Sequence, residues 1–270
     1  MTATTWSVLI KQRSQAALGP LAIGIGLLVF WQSAVTWYNV PHYVLPSPVM
    51  IGRALAEASA TLDLSLLATL RVTFLALFPA VTLGVGLAVV FTQWRWLERS
   101  LLPYVIVLQV TPVVSLAPLI IIRVGDVQIS LLIGAWLVAF LPILSNTILG
   151  LNSADHNLVD LFEVYGATRW QKLVLLRLPS SMPCFMGGLV ISGGLALNGA
   201  VVAEFVVGTG GTGSGLAFRI LESGCQLRIP RMLAALILIS VTGILIYLAT
   251  SWLSWLVLHK WHDSAVKREG

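Results

Sequence analysis

Few side chains in this sequence could do chemistry, and most of them sit inside apolar runs. Arg71 and Glu204 are ionisable groups in stretches otherwise suited to a membrane interior, where a charge is kept for a partner or a solute. Arg71 lies about 9 Å inside the second apolar window, taking six residues at about 1.5 Å each. It either snorkels and braces helices or faces a path. Glu204, at the end of the fifth window, either pairs with Arg71, gates a mouth, or is a structural carboxylate. Gln109 and Asn198 could hydrogen-bond a polar solute or hold helices together. Pro112, like Pro79, Pro118 and Pro142, lies at membrane depth, where neighbouring helices or water must satisfy the backbone groups that proline frees. These types suit recognition of a small polar solute, not bond-making. No Ser/His pairing, paired aspartates or HExxH run falls in an apolar segment, so no catalytic residue is assigned.

Metal and nucleotide chemistry find no support either. The two cysteines, Cys184 and Cys225, sit in no CxxC or Cys/His spacing. Cys184 reads as a small core residue and Cys225 as an outer-side one. The glycine-rich run from Gly208 to Gly215 resembles a phosphate loop only superficially. No strand precedes it and no Gly-Lys-Ser/Thr follows, so it reads as a flexible turn.

The elements that position these residues are helices in a bilayer. Of 270 residues, 57% are hydrophobic and 10% charged, against about 25% charged in soluble domains. Six windows are long and apolar enough to span: about 18–38, 65–91, 100–122, 128–151, 183–207 and 232–259. They define an all-α membrane domain over 18–259, with short tails 1–17 and 260–270. The first window is too long for a signal peptide and reads as a retained helix. A short helix around Val49 to Ala60 reads as interfacial, with Arg53 and Glu57 four apart.

The net charge of +5 comes in short groups, with no basic run to suggest nucleic acid. With the N-terminus inside, inner segments carry Lys11, Arg13, Arg95, Arg99, Arg169, Lys172, Arg177, Lys260, Lys267 and Arg268. Outer segments carry only Arg53, Arg123, Arg219, Arg228 and Arg231. That bias predicts both termini in the cytoplasm. Trp6, Trp37, Trp94, Trp96, Trp170 and Trp261 fall near predicted helix ends, as an interfacial belt would. Gly84, Gly86, Gly187, Gly188, Gly193 and Gly194 are candidates for close helix approach.

The inner segment 152–182 is long enough for two short helices. Leu158, Leu161, Phe162 and Tyr165 recur at helical spacing and predict an amphipathic helix. Gly166 should stop it. Thr168 should cap a second helix from Arg169 to Leu178, ended by Pro179.

This segment resembles the cytoplasmic loop of ABC importer permeases. That pattern is EAA, three residues, Gly, nine residues, Ile, one residue, Leu-Pro. Asp160, Leu161 and Phe162 stand at the EAA positions, with Glu163 beside them. Gly166 and Ala167 follow at the Gly, Leu176 stands at the Ile, and Leu178-Pro179 closes the pattern. Asp replaces Glu, and bulkier Leu and Phe replace the alanines. Other segments are similar to the branch importing nitrate, sulfonates, taurine, bicarbonate and thiamine precursors. They are Leu45-Pro46-Ser47-Pro48, Thr69-Leu70-Arg71, Thr111-Pro112 through Ala117-Pro118-Leu119, Phe140-Leu141-Pro142-Ile143 and Val202-Ala203-Glu204. Arg123-Val124-Gly125 and Gln109 depart from that branch, which often has an aromatic before the Gly and a basic residue at the second position.

The resemblance implies a type I ABC importer (MetI-like) permease fold with six transmembrane helices, in the bacterial inner membrane. It implies partners: a dimer of ABC ATPase subunits, a second copy of the permease, a periplasmic or lipid-anchored solute-binding protein, and membrane lipids. ATP and Mg would belong to the ATPase, with no cofactor on this chain. Asp160 to Pro179 would couple to the ATPase. Arg71, Gln109, Pro112, Asn198 and Glu204 would be candidates for the pathway. The rival is an ion-gradient-driven secondary transporter, which would want intramembrane carboxylates or broken helices that this sequence almost lacks.

Overall fold

A backbone in lipid must satisfy its own hydrogen bonds, and helices do so within one segment. The computed structural model describes Gly19, residues 22–207 and residues 213–259, and among these every regular element is helical. Basic residues 11, 13, 260, 267 and 268, tryptophans 6 and 261, and glycines 208, 210 and 211 lie outside the described residues.

The order begins with α1 (Ala22–Trp37). It continues with α2 (Pro48–Glu57), α3 (Ser59–Gln93), α4 (Arg95–Val110), α5 (Val113–Val124), α6 (Val127–Asn152) and α7 (His156–Val164). Then come α8 (Arg169–Lys172), a π-helical turn (Leu173–Arg177), α9 (Leu178–Val207), α10 (Leu216–Cys225) and α11 (Ile229–Leu258). Four stretches are long and apolar enough to cross a membrane alone: 59–93, 127–152, 169–206 and 229–258. Shorter apolar helices cover 22–37 and 115–124.

The helices group into two compact units. In the unit of residues 1–60 and 220–235, Ser47 caps α2 and Pro48 takes its first turn, where a missing N–H costs nothing. The Leu-Pro-Ser-Pro run is thus a helix start. The Val49 N–H also reaches Gln32 Oε1 of α1 at 3.4 Å.

The unit of residues 61–219 and 236–270 is built on α6 against α9. Glycine brings their backbones together along the whole seam. A Cβ on Gly134 would meet the Ala203 Cβ at 3.2 Å, and one on Gly199 the Ala135 Cα at 2.9 Å. One on Gly188 would meet the Asn146 Cβ at 2.8 Å, and one on Gly150 the Ser181 Cα at 2.9 Å. Lipid tails are as apolar as leucine, so close packing of this kind, not hydrophobic exclusion, holds membrane helices together. α3 joins through Gly84 against Ile143, and α11 through Ile246 and Thr250 against Gly193. Phe91, Ile143, Leu144, Leu151 and Leu173 fill the core at one end. Val72, Ala76, Leu131, Ala135 and Ala203 fill it at the other. A Cβ on Gly86, Gly187 or Gly194 would meet nothing within 4 Å, so half the expected close-approach glycines are not used that way in this chain.

Three expectations change. The window 100–122 is not one helix: Pro112 has no N–H and forces Thr111 to an extended conformation, so α4 ends there and α5 starts at Val113. Pro179 does not end the second short helix. The π-helical turn just before it widens the ladder and relieves the clash a proline ring makes with the carbonyl four residues back. α8 therefore runs on into α9, and Pro183 lies inside α9 instead of starting it. Finally, α3 begins at Ser59, so Arg71 stands twelve residues in, about 18 Å from that end.

Leucine at position 199 should force α6 and α9 apart, costing about 1–3 kcal/mol or more by overpacking. Gly199→Leu is expected to lower the thermal midpoint of the detergent-solubilised protein clearly, whereas Gly187→Leu leaves it near wild type. Equal midpoints for the two variants would mean the seam does not carry the stability.

Candidate functional site

The segment between α6 and α9 is built from local signals. Asp155 caps α7 by accepting from the Asn157 N–H at 2.9 Å. The helix stops at Gly166, whose φ of +68° is left-handed and favours glycine. The Gly166 N–H donates to the Glu163 carbonyl and the Ala167 N–H to the Phe162 carbonyl, each at 2.9 Å. That pattern is a Schellman termination. Thr168 then opens α8 with a capping box to Gln171. The Lys172 Nζ bridges back to Glu163 Oε1 at 2.7 Å, tying α7 to α8. The Lys172 hydrogen bond first, and its charge second, hold the Glu163 carboxyl below its ordinary value. A depressed carboxylate contributes above its unfolded pKa and loses that contribution as pH falls through the lowered one. Glu163 is open to solvent, so the effect is small.

α7 has no buried residue. Asp160 and Leu161 are exposed on it, and Phe162 is half-buried. Val164 and Tyr165 are more than 80% exposed, and Trp170 and Leu175 nearly two-thirds. Leu176 is buried, while Ala167, Leu178 and Pro179 are half-buried, so the closing residues of the pattern root the segment in the bundle. A cleft of about 450 Å³ lies where Thr92, Trp94 and Trp96, around the α3–α4 junction, approach Glu163, Arg169 and Arg177.

At the far end of α9, Glu204 is buried and its carboxylate is fully engaged. Oε1 accepts from Thr69 Oγ1 of α3 at 2.9 Å, and Oε2 from the Ala217 N–H at 3.1 Å. The Leu216 N–H donates to Thr69 Oγ1 at 2.9 Å. The carboxylate thus sits on the N-terminus of α10, where free N–H groups and the helix dipole favour a negative charge. A Cβ on Gly215 would fall onto that carboxylate, so only glycine allows this approach. Arg219 Nε adds a bond to Ser65 Oγ at 3.1 Å. Glu204 is therefore the anchor of α10 and is not held by Arg71. Arg71 is exposed, although it lines the same small cavity of about 90 Å³ as Glu204, Gln128 and Phe218.

Neither Asn198 nor Pro112 lines the cavity that Arg71 and Glu204 share. Asn198 is exposed on α9, and Pro112 is exposed at the α4–α5 break. Gln109 lies on α4. An apolar cavity of about 230 Å³ beside the break is lined by Leu108, Thr111, Leu141 and Pro142. Sequence reasoning missed Ser65 and Thr69 as site residues. Their signal was present: Ser65, Thr69 and Thr73 recur every four residues as a polar stripe on a largely apolar helix, and all three are buried.

Four membrane-length helices, a broken traverse and a capped two-helix projection define a multi-pass helical permease. The family model for the binding-protein-dependent transport system inner membrane component matches residues 80–257, and the chain belongs to that family. It is 37% identical over 190 residues to the riboflavin transport system permease protein RibX of Chloroflexus aurantiacus, covering 70% of this chain and 71% of that one. It is 32% identical over 235 residues to the formylaminopyrimidine transport permease protein ThiX of Halalkalibacterium halodurans, covering 87% and 92%. The fold matches the solved methionine ABC transporter MetNI with a TM-score of 0.60 at 20% identity, over 74% of this chain and 98% of that one. The chain is thus an inner-membrane ABC importer permease subunit for a small solute, with the MetI-like fold, and not an ion-gradient carrier.

Thr69→Val would strip a donor from Glu204 and an acceptor from the Leu216 N–H in a dry site. A loss of about 1–3 kcal/mol is expected for each group left unpaired. Thermal unfolding in detergent should show Thr69→Val well below wild type and Thr69→Ser close to it. A wild-type midpoint for Thr69→Val would remove Glu204's anchoring role.

Proposed function

We propose that two copies of this chain form the translocation core of the importer, and that α7 with α8 docks on a separate pair of ABC ATPase subunits. The observation that carries the reading is the α7–α8 projection. It is rigidly terminated and capped, yet it presents Leu158, Leu161, Val164 and Tyr165 to the outside. An amphipathic helix that leaves this much apolar surface uncovered by its own chain suits a groove on a partner. Asp160 stands on the same helix, and Gly166 sets its exit angle.

On this reading both termini are cytoplasmic, ATP and Mg are held by the ATPase, and this chain binds no cofactor. ATP-driven closure of the ATPase pair moves the projection. The continuous α8–α9 helix passes the motion to the end of the bundle where Glu204 holds α10. A periplasmic or lipid-anchored binding protein delivers the cargo to that end. Asn198, Gln109, Pro112 and Arg71 are pathway candidates, whereas Glu204 acts as a brace. Among the solutes the family resemblance admits, a nitrogen heterocycle of the pyrimidine type is favoured over nitrate, bicarbonate or a sulfonate. Riboflavin and a formylaminopyrimidine, the cargoes in the names of the two relatives, are both such heterocycles.

The test is co-purification with a candidate ABC ATPase subunit from the same organism, and ATP hydrolysis by the reconstituted complex. Wild type should assemble and hydrolyse ATP, and Asp160→Lys/Gly166→Leu should do neither, while the permease itself stays folded. Wild-type behaviour of the double variant would sink the docking assignment. Uptake of a labelled pyrimidine in competition with taurine and nitrate would decide the cargo class.

A further inference from the structure

The cleft beside α7 and α8 has a chemistry that docking an ATPase does not use. Arg169, Lys172 and Arg177 bring three positive charges to it and Glu163 one negative charge, a net +2. The single carboxylate is already engaged with Lys172 at 2.7 Å. Among the described residues, no carboxylate is paired with Arg169 or Arg177. Two planar donor forks thus face a cavity of about 450 Å³, and a guanidinium fork matches the oxygens of a phosphate.

The cleft's depth is set by its walls. One wall is the end of apolar α3 at Gln93, continuing through Trp94 and Trp96, which are 50% and 68% exposed. The other is the start of the apolar stretch 169–206. Both walls are ends of membrane-length apolar stretches, and exposed tryptophans belong at headgroup level. A soluble anion would meet the same cations, but it would gain nothing from the tryptophans or from the exposed apolar flank of α4, where Tyr104 and Val107 are more than 60% exposed.

We propose that this cleft binds the phosphate headgroup of an anionic phospholipid, with Arg169 and Arg177 on the phosphate and Trp94 and Trp96 against the glycerol and upper acyl region. The lipid wedges between the α3–α4 junction and the α7–α8 projection. The site lies at one membrane interface whichever way the chain is oriented. The inference concerns the same segment as the docking reading but does not require an ATPase to bind.

The full-length permease alone, purified in a neutral detergent, is titrated with short-chain phosphatidylglycerol, phosphatidylcholine or inorganic phosphate, and thermal unfolding is followed. Phosphatidylglycerol should raise the midpoint in a saturable way, because a ligand that binds only the folded state stabilises it. Phosphatidylcholine and inorganic phosphate should not. Arg169→Gln/Arg177→Gln should lose most of the shift. Arg169→Lys/Arg177→Lys, which keeps both charges, should retain part of it and guards against simple misfolding. An undiminished shift in the glutamine variant overturns the proposal, as does equal stabilisation by phosphatidylcholine. A full shift with inorganic phosphate reassigns the cleft to a soluble anion and overturns the lipid. Failure of the ATPase to co-purify would leave these outcomes unaffected, so the two readings fail separately.

Discussion

The close approach of α6 and α9 is the constraint on which the rest of the larger unit depends. In a bilayer there is no water for apolar helices to escape, so dispersion between well-fitted surfaces decides which helices stay together. Gly134, Gly150, Gly188 and Gly199 are spread over both helices, and each is met by the partner helix within about a van der Waals contact or less of where a Cβ would be. Among the described residues, no other helix pair in this unit meets through so many glycines. α3 and α11 are added to opposite members of this pair, α3 on Ile143 of α6 and α11 on Gly193 of α9.

The pair also organises what lies at its ends. α6 leads directly into α7, and α8 leads directly into α9, so the α7–α8 projection is suspended from both members of the rigid pair. The π-helical turn at Leu173–Arg177 lets Pro179 be carried inside a continuous helix, with no joint between projection and bundle. At the other end of α9, Glu204 clasps the N-terminus of α10 and the hydroxyl of Thr69. One helix therefore links the proposed ATPase-facing segment to the buried carboxylate. On the docking proposal, a displacement at one end travels along a single unbroken helix to the other.

Part of this was legible without coordinates because it is local. Thr168 as a cap, Gly166 as a stop and the amphipathic face of α7 depend on residues within a few positions of one another. Other features were not legible because proline acts through its surroundings. Pro112 breaks a traverse while Pro79, Pro142 and Pro183 lie within helices, and Pro179 passes because a wider turn precedes it. The close-approach glycines were half right for a similar reason. Gly187 and Gly188 are adjacent, yet a helix turns them about 100° apart, so only Gly188 faces α6.

Composition and hydropathy by themselves determined a helical membrane protein, since those depend on solvent and on local backbone chemistry, and the resemblance carried by its motifs pointed to the importer permeases. Only the tertiary structure decided what its buried polar groups do. Thr69 and Glu204 are 135 positions apart, and nothing along the chain says that one hydroxyl would serve both the carboxylate and the Leu216 N–H. Sequence left Glu204 open between pairing with Arg71, gating a mouth and serving as a structural carboxylate. Packing gave it a helix N-terminus, because a carboxylate in a dry site is held by whichever donors converge on it, and convergence belongs to three dimensions.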